Sequence, residues 1–469
     1  MDWHRTGVAE LASALRAKQV SPVELLNCVL HQYEQVNPSI NAFVSLDAEG
    51  AVQAARRSER RFLAGDPLGP LDGIPVSVKD NLFVRGLPAT WGSTFFRDHS
   101  ASVDELPVAQ LRARGAVIFG KTNVPEFTLQ GYTCNELFGP TRNPWSLALT
   151  PGGSSGGAVA AVASGIGPLA MATDGGGSTR RPAGYNNLVG LKPSIGRIAR
   201  EGGFPQILYD FEVIGLIART VTDTRIFYDE LRGAHAHDLR SWLPLSIRNS
   251  YAGHGATLSP QVRLHMRFEG SPVDPMIVQA TTQAAERLEQ LGASVELTEP
   301  SFSFSEIAVL LEVVFATGLA HICQDARAEH GLSESLRPML ERGRQVPGAQ
   351  YLATIARIWQ LRNDAEHAFG EADFLMTPTS AAMPWPCETP FPAVIAGFPA
   401  APRAHAAFTG FVNLLGLPAI SLPACSASNG LPIGFQLVGR YGSDDALLEL
   451  ARIYESAFPW AQEWPASAG

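Results

Sequence analysis

Between residues 152 and 190 the chain carries its densest glycine, and this stretch limits the fold more than any other. Two loops, Gly-Gly-Ser154-Ser155-Gly-Gly and Asp174-Gly-Gly-Gly-Ser178, flank an uncharged run at 156–173. That run is rich in Gly and Ala and holds Pro168, so it reads as a buried core helix rather than a membrane span. A second apolar run, 307–323, is interrupted by Glu312 and reads the same way. Glycine tolerates positive φ and lets backbone N–H groups approach a ligand closely. One such loop is an ordinary turn. Two loops, each presenting serine among glycines with 24 positions between Ser154 and Ser178, call for another explanation.

The flanking patterns place these loops in an α/β chain. Val8, Leu11, Leu15 and then Val23, Leu26, Leu30 recur at helical spacing, and Ser21-Pro22 followed by Glu24 marks a helix start. Ile74, Val76 and Val78 alternate as in a strand that ends at Lys79-Asp80-Asn81. A helix at 108–114 and a buried strand at 116–119 follow. Later come a helix at 276–291, strands at 293–297, 374–376, 417–422 and 433–438, and a helix at 444–454. Alternation of this kind predicts an α/β chain with a largely parallel or mixed sheet. No linker or repeat divides the chain, so one large domain is expected. Its parts are N-terminal helices over 1–65, a core over 66–230, an irregular, Pro-punctuated surface insertion over 235–275 and a further stretch over 300–400. A Pro-rich loop spans 378–402.

Composition excludes several classes. With 45% hydrophobic and 17% charged residues the chain is too apolar for disorder, and a net charge of −9 argues against a nucleic-acid footprint. Five widely spaced cysteines without a CxxC pair suggest neither a disulfide framework nor a zinc site. The N-terminus shows no basic-then-apolar leader, which points to a soluble cytoplasmic protein acting away from membranes.

Two motif matches mislead. Gly115 to Thr122 fits G-x-x-x-x-G-K-[ST], but strand residues fill the loop positions and Pro125 breaks the segment after them. Gly152 to Gly156 fits the G-x-S-x-G elbow, yet the preceding Asn143-Pro144-Trp145-Ser146 reads as a turn where that motif needs a strand. A His-dependent esterase, with His235, His237 or His405 as base, is therefore a remote alternative. Lys79 is more telling. A lysine on an apolar strand is unusual unless paired or functional, and desolvation would make it a base. Consecutive N–H groups among the glycines could form an anion nest for an oxyanion.

Taken together, the sequence resembles the amidase signature family. The resemblance rests on Ile74-Pro-Val-Ser-Val-Lys79-Asp80, Gly139 through Trp145, Gly152 to Gly157, Asp174 to Ser178 with Arg180 and Pro182, Val189 to Pro193, Ala218-Arg-Thr-Val221, and Asn413 to Ile420. The 75 positions between Lys79 and Ser154 also fit. The resemblance covers roughly residues 8–458, is weakest over 235–275 and 300–400, and implies a single α/β domain with a central mixed sheet, helices on both faces and a substrate mouth shaped by 300–400. It implies that Ser178 is the nucleophile, that Ser154 bridges it to Lys79 through a cis Gly153–Ser154 peptide, and that Gly175, Gly176, Gly177 and Ser178 form the oxyanion hole. Ser155 and an Asp174–Arg180 pair would support the loops. No cofactor or metal is implied. The substrate would be a small-molecule amide, hydrazide or ester, and homodimers are common among relatives.

Departures bear on substrate. Arg181 stands three residues past the nucleophile, and in the malonamidase-like branch an Arg there engages an acid; the plainer reading points it into solvent or pairs it with an acidic neighbour. Leu129, Gln130 and Tyr132 occupy a segment that borders the pocket in the family. The glutaminase component of tRNA-dependent amidotransferases is the alternative function. Those proteins carry an acid just before the late Phe-Thr, whereas this chain has His405-Ala-Ala-Phe408-Thr409, which favours a stand-alone amidohydrolase.

Overall fold

The computed structural model describes residues 3–242 and 259–466. Its centre is an eleven-stranded sheet in the order Phe43–Leu46, Val117–Thr122, Pro75–Lys79, Leu169–Asp174, Val213–Ala218, Val189–Lys192, Ala419–Ser426, Pro432–Gly439, Phe374–Pro378, Gln261–Leu264, Ser294–Leu297. Parallel pairs lie toward both ends and antiparallel pairs fill the middle, so the sheet is mixed. Helices flank it, as expected.

Local chemistry explains where elements start. Helix Pro22–Ile40 is opened by a reciprocal cap. The Glu24 N–H donates to Ser21 Oγ (3.1 Å), and the Ser21 N–H donates to the Glu24 carboxylate (2.8 Å). Proline occupies the first turn, where its missing donor costs nothing. Strand Pro75–Lys79 runs parallel to both neighbours, and every one of its residues is buried, as expected for a strand covered on both faces. Its register against Leu169–Asp174 pairs Val78 with Met171. Lys79 therefore ends its strand beside the end of the strand that leads into Asp174-Gly-Gly-Gly-Ser178.

The run at 156–173 is not one helix. It divides into helix Gly156–Ala163 and strand Leu169–Asp174, both wholly buried. The turn between them contains Gly165 and Gly167, both at positive φ, and only a break there lets the same apolar run cover the sheet and then enter it. Gly157 is required by packing: a Cβ there would stand 2.4 Å from the Ala42 carbonyl oxygen and the Asn123 nitrogen. The second apolar run forms helix Phe304–Ile322. It is long and apolar enough to cross a membrane, but most of its apolar residues pack into the body of the protein.

The 235–275 segment also departs from expectation. Gln261–Leu264 is a sheet strand, parallel to Phe374–Pro378 and Ser294–Leu297. With only Val262 and Leu264 facing inward, it offers too few alternations to be read as a strand. Residues 243–258, including His254, lie outside the described residues. The phosphate-loop match is accounted for as well: Lys121 lies in strand Val117–Thr122, fully buried and paired with Asp80 at 3.2 Å.

Candidate active site

Lys79 Nζ lies 2.9 Å from Ser154 Oγ, 3.0 Å from Thr173 Oγ1 and 3.2 Å from the Thr173 carbonyl oxygen. No carboxylate among the described residues touches it. Burial drives the amine down to about 7, against the pull of the Glu212 and Asp174 charges. A neutral amine has two N–H bonds and one lone pair, which suits this setting: it can donate to Thr173 and accept the Ser154 hydroxyl proton. Thr173 is held in turn by Asn81, whose amide donates to Thr173 Oγ1 (3.0 Å) and to Glu212 (2.7 Å).

The two glycine loops meet here. The Gly153–Ser154 peptide is cis. The Ser155 N–H donates to the Ser178 carbonyl (3.2 Å), and the Ser155 hydroxyl reaches the Thr173 carbonyl (3.4 Å). Ser154 and Ser178 line one cavity together with Thr173, Gly175 and Gly176. Ser178 Oγ makes no hydrogen bond among the described residues.

Asp174 organises the loop that leads to Ser178. Its carboxylate receives Arg180 through two bonds, at 3.0 and 2.9 Å, and also the N–H groups of Gly177 (2.6 Å) and Thr179 (3.1 Å). Burial alone would raise this carboxyl, but the Arg180 charge and these hydrogen bonds hold it far below the usual carboxylate range. Arg180 continues to Asn413 (2.5 Å) and Gln436 (2.6 Å), tying the loop to the last third of the chain. Contrary to the expectation for Gly177, its N–H is taken by Asp174 and is not free for a ligand, whereas the N–H groups of Gly175, Gly176 and Ser178 make no hydrogen bond among the described residues. Gly177 stays indispensable for another reason. Its φ is +105°, and a Cβ would fall 2.1 Å from Thr409 Oγ1.

The amidase family model matches residues 24–448. The chain is similar to an acylamidase of Rhodococcus erythropolis, 32% identical over 99% of this chain and 98% of that one. It is also similar to a glutamyl-tRNA(Gln) amidotransferase subunit of Symbiobacterium thermophilum, 31% identical over 98% of each. The crystal structure of a bacterial aryl acylamidase of the amidase signature family superposes with a TM-score of 0.90, at 29% identity over 99% of this chain and 98% of that one. The chain belongs to the amidase signature family.

Within this amidase signature fold the remaining predicted residues separate. Leu129 and Gln130 line the cavity with Ser178. Tyr132 does not: it packs with Tyr185 and Trp385 and lines a neighbouring pocket that Gln130 also borders. Arg181 lines the cavity but neither reaches solvent nor meets an acid. It is buried and donates to the Gly176 carbonyl, to Thr409 Oγ1 (2.7 Å) and to the Gly153 carbonyl (3.3 Å). No histidine among the described residues lines this cavity. His405 is buried against Trp385, which leaves the elbow chemistry without a histidine base at Ser154 among the described residues.

Sequence reading missed Thr173, Glu212, Phe315, Arg403 and Thr409. Thr173 precedes Asp174 and could have been suspected from its place at a strand end. Thr409 belongs to the late Phe408-Thr409 segment, read only for the acid that should precede it, while Glu212, Phe315 and Arg403 come from distant segments and carry no motif of their own.

Proposed function

We propose that this protein hydrolyses a C–N amide bond of a small molecule through an acyl-enzyme on Ser178. The observation that carries the reading is a buried amine, held near neutrality at about 7, within 2.9 Å of Ser154 Oγ and beside the loop bearing Ser178. As substrate binds, Ser154 turns its hydroxyl between Lys79 and Ser178. Ser178 Oγ attacks the carbonyl carbon, its proton passes to Ser154, and the Ser154 proton passes to Lys79. The tetrahedral oxyanion is met by the N–H groups of Gly175, Gly176 and Ser178. The protonated lysine returns a proton along the same path to the leaving nitrogen, and the C–N bond breaks. Water, deprotonated by the same relay, then releases the acid and regenerates Ser178. Ser155, Asp174 and Arg180 hold the two loops in place.

Linear amides are the proposed substrates, and hydrazides and esters can acylate the same serine. The enzyme is read as a stand-alone cytoplasmic amidohydrolase that needs no nucleic acid. The similarity to the glutamyl-tRNA(Gln) amidotransferase relative makes glutaminase the second reading. Ala406 and Ala407 before Phe408-Thr409 supply no carboxylate for an amino group, which favours the first. The test is hydrolysis of a panel of aryl, alkyl and carboxylate-bearing amides plus glutamine, with Ser178→Ala as control. Turnover of non-glutamine amides that Ser178→Ala abolishes supports the proposal. Turnover of glutamine alone favours the second reading, and undiminished activity in Ser178→Ala overturns both.

A further inference from the structure

Two guanidinium groups, those of Arg181 and Arg403, line the cavity that holds Ser178, and they are differently employed. Arg181 is buried, and its terminal nitrogens are spent on Gly176, Thr409 and Gly153. Thr409 also donates to the Gly176 carbonyl (2.8 Å). Arg181 thus spans the loop before Ser154 and the loop before Ser178. It braces both, and its forked end is not free to hold a second planar partner.

Arg403 is the reverse case. It is exposed, its guanidinium lies over the Phe315 ring at 4.7 Å, and its one hydrogen bond among the described residues is a long 3.4 Å contact to the Leu129 carbonyl. It makes no ion pair among the described residues. The acid that influences it, Glu312, pairs with Arg342 at 2.6 Å. A guanidinium stacked on a ring keeps its edge donors available. That edge stands beside the oxyanion loop, since a Cβ on Gly176 would lie 3.7 Å from Arg403 Nη2 and 3.5 Å from the Phe315 ring. The acid in the cavity wall, Glu212, is held by Asn81 and by Arg200 (3.3 Å). The cavity therefore carries uncompensated positive charge, and its freest cationic donor is Arg403.

Resting on the amidase reading above, we infer that Arg403 binds a carboxylate carried by the substrate away from the scissile amide, while Arg181 is a positioning residue for the two catalytic loops. This assigns acid recognition to a residue outside every motif, and separates it from the Arg three places past Ser178. A planar fork facing an anion gives paired charge-assisted bonds of the kind a carboxylate fits.

The test compares 4-anilino-4-oxobutanoate with butyranilide, its neutral counterpart, in the wild type, Arg403→Gln, Arg403→Lys and Arg181→Lys. The wild type is expected to prefer the carboxylate substrate. Arg403→Gln should lose about ten- to a hundredfold in kcat/KM on that substrate, mostly through KM, and far less on butyranilide. Arg403→Lys should recover part of the preference. Arg181→Lys should lower kcat on both substrates alike. A wild-type preference for butyranilide, equal losses on both substrates in Arg403→Gln, or loss of the carboxylate preference only in Arg181→Lys would each overturn the inference. Ser178→Ala is run on both substrates: activity that survives it refutes the amidase mechanism separately, whatever Arg403 does.

Discussion

Replacing Lys79 with methionine should stop catalysis and stabilise the protein at neutral pH, and the two effects have one cause. The amine is held at about 7, against 10.5 for an ordinary lysine. Because the folded value is depressed, the unfolded chain binds the extra proton between those limits. Stability therefore rises with pH from about 7 to 10.5, and the cost is fully present below 7. At 1.36 kcal/mol per tenfold change in proton affinity, that cost is about 4–5 kcal/mol at or below pH 7. Methionine fills similar space but leaves the Ser154 and Thr173 oxygens without their partner, a loss of roughly 1–3 kcal/mol. Lys79→Met should thus gain roughly 1–4 kcal/mol at pH 7. The gain should shrink by up to about 1.4 kcal/mol per pH unit and change sign near about pH 9. Lys192 is also buried and held at about 7, but it is common to both proteins and cancels in the difference. Urea unfolding followed by tryptophan fluorescence at several pH values between 6.5 and 9.5 measures that difference, and amide turnover is assayed on the same samples. A variant less stable at every pH, or a difference that does not vary with pH, would refute the neutral-lysine argument; retained turnover would refute its catalytic role.

Three further outcomes follow from the same structure. For the wild type, kcat/KM on a neutral amide should rise with pH through an apparent pKa near about 7, falling tenfold per unit below it as Lys79 takes up its proton; a profile that declines between pH 6 and 8 contradicts this. Arg180→Ala leaves the Asp174 carboxylate buried without its partner and should cost about 3–5 kcal/mol in urea unfolding; a loss below about 1 kcal/mol would show that the pair does not hold the loop. Glu455 accepts the Val221 N–H (2.9 Å), and burial pushes its carboxyl up to about 7. Its raised value makes stability fall as pH rises from the ordinary 4.5 through 7, so Glu455→Gln should remove that fall and gain roughly 1–3 kcal/mol at pH 8. Equal pH dependence in both proteins would refute it.

The sequence was most legible where chemistry is local. A Ser-Pro-x-Glu start gave the helix at Pro22, and alternation gave strand Pro75–Lys79, because caps and pleats act within a few residues. Lys79, Ser154 and Ser178 stood out because an apolar strand and glycine loops leave them no ordinary structural reason. The 156–173 run misled because a helix and a strand buried on all sides share one composition, and only the packing of Gly165 and Gly167 divides them. Gly177 was misassigned because an N–H in a glycine loop can face a ligand or a carboxylate, and Asp174 three residues earlier takes it. Arg403 and Phe315 could not be found by spacing. They lie 225 and 137 positions beyond Ser178, and the sheet and its helices alone bring them to the cavity.

The central claim, an acyl-enzyme on Ser178 formed through a neutral Lys79, is tested most directly by trapping. The protein is mixed with an activated ester or anilide, quenched in acid within the first turnover, digested and analysed by mass spectrometry. The account predicts an acyl adduct on Ser178 that is absent in Ser178→Ala and greatly diminished in Lys79→Met. An adduct on Ser154 or another residue, or steady turnover with Ser178 unmodified throughout, would contradict it.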